Sequence, residues 1–299
     1  MESTAAPLKS VSEITRNRGI FLVKVLDAQI PPWQPSGGGL ASRKVAMRLV
    51  IEEVLKGEVK PPAGTPFSME ITQRGTGSMR VMDYYGLWSH VNIKPGAEWV
   101  AFSTGSSAEA IQLLEEPACE QLVPPEQALD DVRAAMALER QKAAPAAIVE
   151  AAQQKAAERG AVFARFVWDR SGQAALQSKE LFKGILSIIT SPSTSLAGRQ
   201  EFITRVDTAL SLLPSPRRDL EREFLLDLFQ LLGSPAGETL REDLATRVIP
   251  NLIGLPGKAE HKAADVFGAS AELRGRVRTE LQHPELDPKP TALLQWLNK

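Results

Sequence analysis

Apolar and polar positions alternate through the first third of the chain with the period of a β-strand. In the segment Val45–Gly57, large apolar side chains occupy every second position from Val45 to Ile51, and Phe67–Thr72 shows the same alternation. A period of two is typical of strands that bury one face. Two more apolar segments, Gly19–Ile30 and Ala97–Thr104, are predicted as strands, and Ile111–Leu114 is a candidate for a last one. This third of the chain is therefore predicted to form a small antiparallel β-barrel.

Beyond Pro124 the apolar positions recur at the spacing of α-helices, in a composition rich in alanine, glutamate, glutamine and arginine. Thick apolar stripes follow one another and are separated by breaks that contain proline or glycine. The stripes occupy 181–189, 202–213, 220–232 and 240–252. Helices joined by short loops pack as antiparallel neighbours. The second part is therefore predicted to be a helical bundle or an irregular array of helical hairpins.

These patterns predict an α+β fold in two domains. Residues 1–123 are assigned to a small antiparallel β-barrel with a short N-terminal helix at Leu8–Arg16. Residues 124–299 are assigned to an all-α domain. The boundary is placed at Pro124 because the composition changes there from strand-like to helix-forming residues.

The composition is that of an ordinary globular protein. Hydrophobic residues make up 43% and charged residues 24% of the 299 residues, and the formal net charge is -1. A nearly neutral chain lacks the basic excess that neutralises nucleic-acid phosphates or anionic lipids, so neither is expected as a partner. No apolar run reaches the roughly 20 residues of a membrane-spanning helix. The first ten residues have no signal-peptide pattern, so the protein is expected outside the cytoplasm if a leader was removed, and otherwise in the cytoplasm.

Residues that carry catalysis or hold cofactors form no recognisable motif. The single cysteine, Cys119, cannot form an internal disulfide or a multi-cysteine metal site, and it is expected to be an inert thiol in the linker. A catalytic couple of Ser89 and His90 is rejected, because adjacent residues on a strand point to opposite faces. No catalytic residue, metal ligand or cofactor is therefore assigned.

Aromatic side chains are concentrated in two predicted loops of the barrel. Trp33 follows the first strand, while Tyr84, Tyr85 and Trp88 lie just before His90 in a second loop. Tyrosine and tryptophan are enriched in recognition surfaces because they offer large rigid contact areas with a polar group. These five residues are the candidate binding site. The alternative is that the rings plug the open end of the barrel, an outcome favoured for Trp88.

Three segments of the N-terminal part carry a family resemblance. They are Leu22–Val25 in the first strand, Glu52–Gly57 (EEVLKG) and Pro95–Phe102 (PGAEWVAF). Over Leu8–Thr104 the chain resembles the bacterial relatives of netrin-like modules and of tissue inhibitors of metalloproteinases. The resemblance implies an OB-like five-stranded barrel and a location outside the cytoplasm. The inhibitors place an N-terminal cysteine on the target's zinc and are rich in disulfides, so zinc chelation is not carried over to any residue of this chain.

The two aromatic loops and the missing catalytic motif together favour a non-enzymatic binding or scaffold protein that engages a protein partner. Two alternatives stay open. One is an enzyme with a site between the domains, built from dispersed residues such as Glu52, Glu53 or Asp169 with Arg165. The other is a cytosolic protein–protein interaction module in a regulatory or defence complex. The sequence does not determine the oligomeric state.

Overall fold

One long strand organises the N-terminal half of the chain. The computed structural model describes residues 13–37, 40–76, 88, 93–115, 117–213, 217–253, 262–268, 270–287 and 289–298. Among these, six strands form one antiparallel sheet: β1 (Gly19–Gln29), β2 (Gln34–Gly37), β3 (Leu40–Lys56), β4 (Phe67–Thr76), β5 (Glu98–Ser103) and β6 (Cys119–Val123). Strand β3 pairs with β1, β2 and β4, and the sheet continues from β1 through β5 to β6. The four strands predicted from the sequence are confirmed as β1, β3, β4 and β5, and the α+β fold class is confirmed.

The alternation along β3 builds the core of this half. Val45, Met47, Leu49 and Ile51 are all buried in one hydrophobic cluster, which also contains Phe21 from β1. Intervening positions such as 46 and 48 are exposed. Side chains two residues apart lie on the same face of a strand, so the sequence pattern translates directly into a buried face.

The second face of the sheet is covered by helix α2 (Pro125–Arg140), which contacts β3 and β5. Leu22, Val100 and Phe102 are buried outside the main cluster, on the face opposite to Phe21. On α2, the buried positions include Val132 and Met136, one helical turn apart. Burial on both faces explains why β1 and β5 read as continuous apolar runs rather than as alternating ones.

The predicted last strand is wrong. Helix α1 (Ala110–Leu114) occupies the place of the expected strand Ile111–Leu114, and β6 is built from the segment that was interpreted as a linker. Cys119 is consequently a buried core residue that begins β6, not a linker thiol. The predicted helix Leu8–Arg16 lies partly outside the described residues, and Ile14–Arg16 forms a turn.

The segment after β1 is predicted as a loop, but in the structure it contains the short strand β2. Strands β1 and β2 pair with the same edge of β3, since β4 occupies its other edge. Residues 30–33 interrupt this pairing. Pro31 and Pro32 lack the N–H groups that a continuous ladder needs, which explains the interruption.

The chain divides into two compact units, Met1–Ala143 and Ala144–Lys299. The first unit extends 20 residues beyond the predicted boundary at 123/124 because α2 packs on the sheet. Two ion pairs tie α2 to β3: Arg133 Nη2 lies 2.5 Å from Glu53 Oε2, and Lys56 Nζ lies 4.0 Å from Glu139 Oε2. A helix can belong to the core of a sheet, so a change of composition does not by itself mark the end of a compact unit.

The second unit is helical throughout its described regular elements. Its helices are α3 (Pro145–Gln154), α4 (Ala161–Ala175), α5 (Lys179–Thr190), α6 (Leu196–Leu212), α7 (Arg218–Leu232), a 3₁₀ turn (Pro235–Leu240), α8 (Arg241–Asp243), a π-helical turn (Leu244–Val248), α9 (Ile249–Leu252), α10 (Ala263–Phe267), α11 (Ala271–Leu281) and α12 (Thr291–Leu297). The four predicted apolar stripes fall on α5, α6, α7 and the α8–α9 stretch. Ser178 and Ser195 cap α5 and α6, each side chain accepting a backbone N–H of its helix.

Candidate functional site

The irregular stretch between β1 and β2 places Trp33 beside an arginine of β3. Gln29 pairs with Ala46 and Gln34 pairs with Ser42, so four residues, 30–33, stand opposite three, 43–45. An extra residue of this kind bends a strand and re-aims its side chains. The Cζ atom of Arg43 lies 4.4 Å from the centroid of the Trp33 ring, which is a cation–π contact. Trp33 itself is half-buried.

Arg43 lies on the inward face of β3, although it is charged. It is two residues before Val45, which is buried in the core, and it pairs in register with Gln73 of β4. Next to the hydrophobic cluster, the inward face of β3 and β4 therefore carries two polar side chains, those of Arg43 and Gln73. We call Trp33, Arg43 and Gln73 the hairpin corner.

Buried hydrogen bonds hold the hairpin corner in place. Arg43 Nε donates to Gln73 Oε1 at 2.7 Å, and Gln73 Nε2 donates to the backbone oxygen of Trp88 at 3.1 Å. Gln73 is only 3% exposed, so its amide is committed to these two partners. The indole Nε1 of Trp88 donates to the backbone oxygen of Leu114 at 2.9 Å. The guanidinium is thus oriented by a chain of contacts that reaches into the core.

The electrostatics of Arg43 differ from those of a surface arginine. Removal from water lowers the pKa of the Arg43 guanidinium below its ordinary value, and no carboxylate of the described residues contributes to the shift. The guanidinium remains positively charged at neutral pH, because the group titrates far above that range. A partly desolvated cation without an anionic partner is an attractive position for a negatively charged group.

The candidate aromatic residues have different positions. Trp88 is 3% exposed and belongs to the core cluster of the sheet, so it is a core side chain and not part of an exposed binding surface. Its large ring and satisfied indole N–H are the reason that it can be buried. Trp33 is accessible in part, as a binding residue must be. Tyr84, Tyr85 and His90 lie outside the described residues.

Residues of the enzymatic alternative form ion pairs within their own units. Glu52 lies 3.1 Å from Lys24 Nζ, and Arg165 Nε lies 2.9 Å from Asp169 Oδ1. Glu53 is paired with Arg133, as described above. Paired groups of this kind stabilise helices and strand edges, and their pairing gives no support to a catalytic role.

Sequence reasoning missed Arg43 and Gln73. Both continue the two-residue period of their strands, Arg43 before Val45 and Gln73 after Ile71, so their inward direction was readable. Their proximity was not, because it depends on the register between β3 and β4.

No helix in the described part of the chain combines the length and the apolar character needed to cross a bilayer. No group of three or more His, Cys, Asp or Glu side chains converges there as metal ligands. Comparison with protein-family models, with curated proteins and with solved structures finds no significant match to this chain.

Proposed function

We propose that this chain is a non-enzymatic binding protein that engages a protein partner through the hairpin corner. The observation that carries the proposal is the half-buried Trp33 stacked on Arg43, with the arginine held by a buried glutamine. Tryptophan and arginine are the side chains most enriched at the energetic centres of protein interfaces. Here both are fixed in position before any partner arrives, which reduces the entropy lost on binding.

The strand order supports the same location. The strand order along the sheet is β4–β3–β1–β5–β6. With β1 and β2 counted together as the first strand, this is the order of an OB-type barrel, in which the third strand is followed by the second, first, fourth and fifth. We propose that the sheet closes into such a barrel, in keeping with the netrin-like resemblance of Leu8–Thr104. OB folds bind their ligands on the face of the second and third strands and on the loop between the first and second. In this chain those strands are β3 and β4, and Trp33 lies on the connection from β1 to β2, which leads on to β3.

Capture of a partner by the immobilised full-length protein tests the proposal. We expect Trp33→Ala to lose partners that the wild-type protein captures from extracts of the producing cells. The variant should keep most of its stability, because truncating a ring outside the core, with its cation–π contact, costs about 1 kcal/mol.

A matched control is Leu212→Ala in the helical unit, where the side chain is 77% exposed. This control should retain every partner. Equal capture by wild type, Trp33→Ala and Leu212→Ala would contradict the proposed function.

A further inference from the structure

The guanidinium of Arg43 makes fewer hydrogen bonds and ion pairs to described residues than the guanidinium groups of Arg199 and Arg241 do. Arg199 is 4% exposed, yet its three nitrogens donate to the backbone oxygens of Ile189, Ser191 and Ala236. Arg241 Nε lies 2.8 Å from a carboxylate oxygen of Glu280. Buried charges in proteins are normally matched by partners of these two kinds.

Arg43 uses one of its five N–H donors within the described structure. Its Nε donates to Gln73, and the two terminal nitrogens donate no hydrogen bond to any described residue. The Trp33 ring lies against the guanidinium but accepts no conventional hydrogen bond. With respect to the described residues, the planar fork of the terminal nitrogens is therefore open to a ligand that brings two acceptors side by side.

We infer that the hairpin corner binds the side-chain carboxylate of an acidic segment of a protein partner, an assignment that rests on the proposed binding function. A carboxylate presents two coplanar oxygens and so matches the free edge of the guanidinium in geometry and in charge. The aliphatic part of the same aspartate or glutamate packs against Trp33.

The surroundings favour a side-chain carboxylate over two related anions. Terminal carboxylates are captured in nests of backbone N–H groups. Pro31, Pro32 and Pro35 beside Trp33 have no N–H to donate. Phosphorylated peptides are recognised by clusters of arginines, whereas Arg43 is the arginine that faces inward in the described part of the corner.

Titration of the full-length protein with blocked peptides tests this inference. The probes are a peptide with glutamate at alternate positions, its glutamine analogue, and a glutamine peptide with a free C-terminal carboxylate. We expect the glutamate peptide to shift the NMR resonances of the Arg43 Nε–H and the Trp33 indole N–H. We expect it to bind at least about 10-fold more tightly than the other two, as for a charge-assisted hydrogen-bonded pair.

Variants of β3 separate the specific site from general attraction. Arg43→Gln should weaken glutamate-peptide binding by about 10-fold, and Arg43→Lys should bind with intermediate affinity because an ammonium lacks the planar fork. Arg48→Gln removes the same charge from the opposite, exposed face of β3 and should change the affinity less than about 2-fold. Thermal melts of each variant verify that it is folded.

The results distinguish this inference from the proposed function. Equal affinity for the glutamate and glutamine peptides, or for wild type and Arg43→Gln, overturns the carboxylate assignment. Tightest binding of the C-terminal carboxylate overturns the choice of a side chain. Loss of partner capture by Trp33→Ala with full capture by Arg43→Gln also overturns the carboxylate assignment but leaves the binding function in place. Full capture by both variants overturns both proposals.

Discussion

At the scale of single residues, two tryptophans of the same sheet have opposite roles. Trp88 is enclosed by the core and donates its indole N–H to a backbone oxygen of α1. Trp33 lies where two prolines interrupt the pairing of β1 and β2 with β3, and its ring is only half-buried. Both residues are flanked by sequence typical of loops, so local composition does not distinguish a buried ring from an accessible one. The burial and the hydrogen bonding of each ring in the structure do distinguish them.

Truncation of Trp88 should therefore be costly. We expect Trp88→Ala to lower the free energy of unfolding by about 3–5 kcal/mol, as for other buried large aromatics. Trp88→Phe keeps most of the apolar volume but leaves the Leu114 carbonyl without its donor, at about 1–3 kcal/mol. Urea denaturation measures both values, with Trp33→Ala as the comparison. A midpoint of Trp88→Ala equal to that of wild type would show that the ring is not part of the core.

At the scale of elements, the 3₁₀ turn after α7 comes extremely close to that helix. A Cβ atom added to Gly237 would lie 1.9 Å from the backbone oxygen of Leu231, which cannot move away without distorting α7. Only glycine fits at this position, and the reason is contact between backbones and not an unusual φ angle.

Two glycine-to-alanine variants in the helical unit should consequently change the stability of the protein in different directions. Gly237→Ala should destabilise the protein by more than about 2 kcal/mol, as for overpacked sites. Gly275→Ala, in the middle of α11, meets no atom within 4 Å and should be neutral or stabilising by up to about 1 kcal/mol. Thermal denaturation of both variants is the measurement, and equal melting temperatures would refute the close approach.

Between α5 and α7, a carboxylate makes stability depend on pH. Desolvation by burial, assisted by repulsion from Glu223 and opposed by Lys183, raises the pKa of Asp227 to about 6. The folded state therefore holds a proton that the unfolded state has released between about pH 4 and pH 6. Stability from this group is greatest at low pH and falls as the pH rises through that window.

Asp227→Asn should remove this penalty. We expect the variant to be more stable than wild type at pH 7 by at most about 1–2 kcal/mol, reduced for partial solvent exposure. At pH 3.5 the difference should nearly disappear, because the carboxyl group is then protonated in the folded state and mostly protonated in the unfolded state. Urea denaturation at the two pH values provides the check, and an identical difference at both would contradict the raised pKa.

At the scale of the whole molecule, the position of the boundary has a measurable consequence. Helix α2 covers the second face of the sheet, and its Arg133 and Glu139 pair with β3. Removal of α2 would expose Phe102 and Val100, which are now fully buried. The first compact unit is therefore complete only when it includes α2.

Two truncations test where the first unit ends. A fragment of residues 1–143 should fold cooperatively with a β-rich circular dichroism spectrum, and residues 144–299 should form an independent helical fragment. A fragment of residues 1–123 should be much less stable or aggregate, because an uncovered apolar sheet face associates with other molecules. Equal stability of the 1–123 and 1–143 fragments would show that the first unit folds without α2, which would support the boundary at Pro124.

The sequence by itself determined the location and type of most regular elements. Strands β3 and β4 follow from a period of two residues, and the helical stripes of α5, α6 and α7 follow from a period of three to four. Strands β1 and β5 follow from continuous apolar runs. These are local properties, since a side chain's face depends only on its place along its own strand or helix.

Only the tertiary structure decided how those elements combine. Segment Cys119–Val123 is a strand because β5 supplies its hydrogen-bond partners, and a short sequence contains no record of a partner elsewhere in the chain. Helix α2 belongs to the sheet for the same reason. The hairpin corner needs both the interruption at Pro31 and Pro32, which brings Trp33 to Arg43, and the register of β3 with β4, which brings Arg43 to Gln73. Pairing across strands is a non-local property, and it is what turns separate side chains into a candidate site.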